Sequence, residues 1–139
     1  MFKKLFIFVG LLAILAACSA QKTVEDPISE GEVVEVLTEQ GFILEKSKKY
    51  PTNNVFTQVL KGVTPDVYLL DGNLISIYVF STSKERAEAV VEFEEKTATM
   101  ELIDHQIYGL NNVLVFYVSA EERLQKDLFE ALMLLDTPE

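Results

Sequence analysis

The chain has a single cysteine, a single histidine and no tryptophan in 139 residues. One cysteine excludes an internal disulfide framework and any zinc site built on several thiolates. One histidine excludes a His-rich metal centre or a paired-histidine relay within one chain. Positive charge is short as well: 12 Lys and Arg stand against 22 Asp and Glu, a net charge of −10. Nucleic acid is therefore not an expected partner. The sequence holds no Gly-rich phosphate loop, no dinucleotide fingerprint and no Gly-x-Ser-x-Gly elbow. It also holds no internal repeat and no low-complexity stretch. Apolar residues make up 49% and charged residues 24%, the balance of a folded domain rather than a disordered chain. This length supports one core and not two.

At the N-terminus, Met1-Phe2-Lys3-Lys4 precedes an uncharged run over residues 5–17, followed by Cys18. As a helix the run spans about 20 Å, short of the roughly 30 Å of bilayer hydrocarbon and suited to the apolar region of a secretion signal. Its end, Leu15-Ala16-Ala17-Cys18, resembles the lipobox of bacterial lipoprotein precursors. The resemblance covers about the first 20 residues. It implies that Leu15, Ala16 and Ala17 are the recognition stretch for signal peptidase II, which cuts before Cys18. It further implies a diacylglycerol on the Cys18 thiol, and leaves open an N-acyl chain such as palmitate on the amine. No other cofactor is expected. Competing readings are an ordinary signal-peptidase cut after Ala20, an uncleaved anchor, and a buried helix with a structural cysteine. The lysines and the polar switch after Cys18 oppose the last.

The implied organisation is a signal peptide over residues 1–17, a lipidated tether over 18–28 and one domain over 29–139. Two or more acyl chains hold a protein on a bilayer durably, where one holds it marginally. The expected location is the cell membrane, lipid-anchored and facing away from the cytoplasm. Ser19, standing where some Gram-negative lipoproteins carry a retention aspartate, would permit outer-membrane sorting. Removal of residues 1–17 takes two of the 12 basic residues and no acidic one, so the net charge falls from −10 to −12. Anionic headgroups repel such a domain. The tether, fully extended, reaches at most about 35 Å.

Three capping-box spacings punctuate the rest: Ser29-Glu30-Gly31-Glu32, Thr82-Ser83-Lys84-Glu85 and Ser119-Ala120-Glu121-Glu122. The first opens a helix with Val33, Val34 and Leu37 on one face, stopped by Gly41. Strands are expected from Phe42, over 55–60, and, more weakly, over 102–108. Val67-Tyr68-Leu69-Leu70, Asp71-Gly72-Asn73 and residues 74–80 form the strongest hairpin signal. A second helix runs to about Lys96 with Ala87, Val90, Val91 and Phe93 on or near its buried face. After a turn at 109–112, the apolar run 113–118 suits a central strand. Leu124, Leu128, Ala131, Leu132 and Leu135 stripe a last helix. The fold class is α+β, a mainly antiparallel sheet with helices packed on it, and the element order resembles a permuted ferredoxin-like split βαβ unit.

Candidate chemistry is sparse. His105 follows Asp104 and could act as a base or ligand, though a surface or edge-strand histidine explains it better. Glu88, Glu92 and Glu95 line one helix face, with Glu94, Glu101 and Asp104 nearby; calcium would need six to eight converging oxygens, and a solvated helix face explains the row. Lys46, Lys48 and Lys49 form the basic cluster, suited to guarding a strand edge. Tyr78, Phe80, Phe116 and Tyr117 are the candidate binding surface, because Phe116 and Tyr117 point to opposite faces and one of them could be left uncovered. In composition the mature segment resembles small lipoproteins of low-GC Gram-positive bacteria, a likeness that assigns no residue a role. The expectation is a monomeric, non-enzymatic envelope lipoprotein that binds a protein or cell-wall partner. The alternative is a small envelope hydrolase or metal-binding protein using His105 and nearby carboxylates.

Overall fold

The computed structural model describes residues 26–47 and 54–136. Its elements are α1 (Glu30–Glu39), β1 (Leu44–Lys46), β2 (Asp66–Leu70), β3 (Asn73–Val79), α2 (Ser83–Thr97), β4 (Gln106–Leu110), β5 (Val113–Tyr117) and α3 (Glu122–Met133). The five strands form one sheet in the order β1-β2-β3-β5-β4, with every neighbouring pair antiparallel. This is the α+β class that the sequence indicates.

Helices cover both faces of the sheet. On one face, Tyr68, Leu70, Ile75, Ile77, Tyr108, Val113, Val115 and Tyr117 meet Val33 and Leu37 of α1 and Leu128 and Leu132 of α3. On the other, Tyr78, Phe80, Leu114 and Phe116 meet Ala89 and Phe93 of α2, with Phe56 and Leu60 from the segment before β2. A strand buried on both sides carries no polar alternation, which is why 113–117 reads as an unbroken apolar run with all five residues buried. Residues 67–70 pair beside β3 as the hairpin signal predicts, but the helices after β3 and β5 lie on opposite faces. A split βαβ unit stacks its two helices on one face, so the ferredoxin-like description does not carry over.

Local chemistry sets the ends of the elements. Ser29 Oγ accepts the Glu32 N–H at 3.2 Å to open α1. Gly41, at φ +92, closes it: its N–H reaches Thr38 O at 3.1 Å and the Phe42 N–H reaches Leu37 O at 3.0 Å, the paired bonds of a Schellman stop. Asp71 and Gly72, at φ +53 and +77, make the tight β2–β3 turn, whose twist matches that of the flanking strands. Thr82 Oγ1 accepts from the Glu85 N–H at 3.1 Å, while the Glu85 carboxylate accepts from Ser81 N–H at 3.2 Å.

Four local expectations need correction. Residues 55–60 are no strand: Asn54 Oδ1 accepts from Phe56 N–H at 2.8 Å, holding Val55–Thr57 in a 3-10 turn, a side-chain bond that competes with a sheet ladder. The strand expected over 102–108 begins only at Gln106, because the His105 ring bonds back to Ile103 O and turns the chain. Ser119 caps no helix; its hydroxyl accepts from Glu121 N–H at 3.1 Å, and α3 begins at Glu122 with no side-chain cap. On α2 the buried row is Ala89, Phe93 and Thr97, and Ala87 and Val91, each about 200° around the helix from one of these, face solvent.

The entry to the domain is fixed more firmly than a tether would be. Ile28 is 5% exposed and belongs to the core. The Asn112 side chain, itself buried, accepts the Ile28 N–H at 2.7 Å and donates to Ile28 O at 2.9 Å and Phe80 O at 2.8 Å. Asn111 Nδ2 adds a bond to Asp26 O at 3.0 Å. The tether expected over 18–28 is thus shorter at its domain end. Arg86 braces the same turn: its Nε donates to Asn111 O at 3.0 Å as the side chain crosses Gly109, where a Cβ would lie 3.0 Å from Arg86 Nη1.

Candidate functional site

The aromatic residues named from sequence do not form a surface. Tyr78, Phe116 and Tyr117 are fully buried and Phe80 nearly so. They fail as a surface because helices cover both faces, so neither direction of alternation reaches water. Tyr78 and Phe116 meet edge to face at 5.6 Å, and Phe116 packs on Phe93 at 4.6 Å. The Tyr78 hydroxyl donates to Gln58 O at 2.7 Å, and the Tyr117 hydroxyl to Leu70 O at 3.2 Å. Burial pushes the Tyr78 phenol well above its ordinary range.

His105 is half-buried, with its ring 4.8 Å from that of Phe56, and Nδ1–H donates to Ile103 O at 2.8 Å. It serves as a packed ring at the rim of the aromatic cluster. Among the described residues no three His, Cys, Asp or Glu side chains gather as metal ligands would. The acidic row on α2 has a different task. Glu92 accepts the Lys61 N–H at 2.7 Å and pairs with Lys96 at 3.0 Å, while Glu88 pairs with Lys61 Nζ at 3.0 Å. These bonds hold the Glu92 carboxyl below its usual range, the Lys61 amide first among them. The row fastens the Lys61-Gly62 turn onto α2. Lys46 lies 3.7 Å from Asp66 and over the Tyr68 ring. Lys48, Lys49, Cys18, Leu15, Ala16 and Ala17 lie outside the described residues.

Two hollows flank α3. One lies between α3 and the edge strand β4, about 450 Å³, lined by Ile107, Tyr108, Phe129 and Met133 together with Glu122 and Lys126. Its charges are mixed. Phe129 is half-exposed there, 6.4 Å from the Tyr108 ring.

The larger hollow, about 650 Å³, opens between the end of α1, the β2–β3 turn and α3. Phe42, Ile43, Leu70, Leu124, Ala131 and Leu134 supply apolar surface, and Asp71, Asp127 and Glu130 supply carboxylates. Among the described residues no Lys or Arg lines it. The ion pairs among the described residues join Lys46 to Asp66, Lys61 to Glu88 and Lys96 to Glu92, and none involves these three carboxylates. Ile43 is 78% exposed and Leu134 50%. α1 ends beside the hollow with no basic residue in its last turn, so the partial negative charge of its C-terminus adds to that of the carboxylates.

The sheet places this hollow opposite the domain's entry. Asp71 sits at the turn joining Leu70 to Asn73, whereas Asn112 sits beside Phe80 at the far end of β3. Seven residues of β3 separate the two ends, about 20 Å at the rise of a strand.

Comparison with protein-family models, with curated proteins and with solved structures found no match for this chain.

Reading the strands for aromatic side chains missed both hollows. The available signal lay in the helices and their stops: Phe129 and Met133 are an i, i+4 pair off the stripe of α3, and Ile43 is an apolar residue just past a glycine stop.

Proposed function

We propose that this is a bacterial envelope lipoprotein whose acidic α+β domain is a non-enzymatic binding module, held to the membrane by acyl chains on Cys18. The observation that carries the reading is a polarity in the domain. The chain enters at one end, where Asn111 and Asn112 fasten Asp26 and Ile28. The larger of the two hollows that flank α3 opens at the other end, on the β2–β3 turn. A domain leashed at its entry turns its free end outward, and the net charge of −12 left after removal of Lys3 and Lys4 keeps it clear of anionic headgroups. His105 packed on Phe56 and Glu92 bonded to Lys61 give these chemistry-capable groups structural tasks, which favours binding over catalysis. On this reading the protein is anchored in the cell membrane and faces outside the cytoplasm, with sorting to an outer membrane open to it where the envelope has one.

Cys18→Ala tests the anchor in the producing bacterium. The expected result is an unprocessed precursor that takes up no labelled fatty acid. Normal mature size with undiminished label would overturn the reading.

A further inference from the structure

Resting on the reading above, we propose that the hollow at the free end receives a basic, apolar-bearing segment of a partner protein, with Lys or Arg side chains set against Asp71, Asp127 and Glu130.

The argument is one of charge and shape. Three carboxylates line the hollow with no basic residue among the described residues of its walls, and α1 ends beside it with no basic residue in its last turn. Folding alone gains nothing from Glu130 in the last turn of α3, where a cation and not an anion is stabilising. An incoming cation relieves that repulsion. Asp127 and Glu130 are exposed, so they keep their hydration until a ligand arrives. The same walls are apolar: Phe42, Leu124 and Ala131 form them, with Ile43 and Leu134 exposed beside them. A simple inorganic cation would leave that apolar surface unused. A peptide segment alternating aliphatic and basic side chains uses both. The hollow beside β4 is the weaker candidate, since Glu122 and Lys126 there offset each other.

The test uses the full-length chain in zwitterionic detergent micelles, titrated with the peptide acetyl-Lys-Leu-Arg-Val-Lys-amide and with its charge-reversed counterpart acetyl-Glu-Leu-Asp-Val-Glu-amide, read by amide chemical shifts. The expected result is saturable binding of the basic peptide alone, with shifts at Gly41, Ile43, Asp71, Asp127 and Leu134. Its affinity should fall at least about fivefold in Asp127→Asn/Glu130→Gln and again in Ile43→Ser, and weaken as salt rises to about 0.5 M. All three residues are exposed, and unchanged circular dichroism of the variants establishes that the fold is kept. Equal binding of the acidic peptide, unchanged affinity in the double variant, shifts confined to β4 and Phe129, or no saturation would each overturn the proposal. A wild-type dimer that the double variant dissolves would overturn it too, making a second copy of this chain the occupant. Failure here with loss of processing in Cys18→Ala leaves the anchor standing; peptide binding with normal processing in Cys18→Ala removes the anchor alone.

Discussion

Asn112 is where a single side chain does most to hold the domain's entry, and its removal should be felt far beyond one turn. The residue is 1% exposed and makes three hydrogen bonds, two to Ile28 and one to Phe80. Asn112→Ala leaves the Ile28 N–H without its acceptor and takes the donor from two carbonyls, in a place water does not reach. An orphaned buried polar group costs about 1–3 kcal/mol, and a small domain has roughly 5–15 kcal/mol in total. We expect a loss of about 3–5 kcal/mol, seen in urea unfolding followed by far-UV circular dichroism as a lower midpoint with unchanged slope. Hydrogen exchange should show the Ile28 amide unprotected while the β3 and β5 amides stay slow. Asn111→Gly is the control: it keeps the left-handed backbone at φ +48 and loses only the exposed bond to Asp26 O, at a cost of about 1 kcal/mol or less. A loss below about 1 kcal/mol in Asn112→Ala, with Ile28 still protected, would refute the reasoning.

Further expectations follow from the core and the caps. Phe116→Ala should destabilise by about 3–5 kcal/mol, measured by thermal unfolding; a stable variant would restore Phe116 to the surface. Ser76 Oγ is buried with no partner among the described residues, so Ser76→Ala should unfold no more easily than the natural chain in urea, and a clear loss would reveal a bond from that hydroxyl. Ser29→Ala should cost about 1 kcal/mol through the loss of the α1 cap, seen as a lower urea midpoint. Burial lifts the phenols of Tyr78 and Tyr108, the latter to about 12, and burial together with the Glu30 bond lifts that of Tyr68. The folded state therefore holds protons that the unfolded chain releases near pH 10. That stability is complete below about pH 10 and is lost as pH rises through the folded values; tyrosinate absorbance should rise in step with unfolding.

Much of the fold is legible in local chemistry. Ser29 with Glu32, Thr82 with Glu85, and the Asp71-Gly72 turn each act through neighbours in sequence, so their spacing reveals them. The β5 run is legible because burial on both faces removes alternation. Ser119 misleads because its spacing matches a cap while its burial ties the hydroxyl to Glu121. Residues 55–60 mislead because Phe56 and Leu60 both turn into one aromatic cluster, a tertiary demand that local spacing does not carry. The hollow proposed as a binding surface is hidden for the same reason. Ile43, Asp71 and Asp127 belong to separate elements, and only the packing of α1 and α3 across one end of the sheet brings them together. The acidic row on α2 is visible as a pattern, but its partner, the Lys61 turn, is fixed by contacts 31 residues apart.

The most direct measurement is intact mass spectrometry of the natural protein extracted from its own membranes, before and after mild alkaline release of ester-linked chains. The expected result is a chain beginning at Cys18 whose excess mass matches a diacylglycerol thioether and falls by two acyl groups on that treatment. An unmodified thiol on Cys18, or a first residue elsewhere in the chain, would contradict the account.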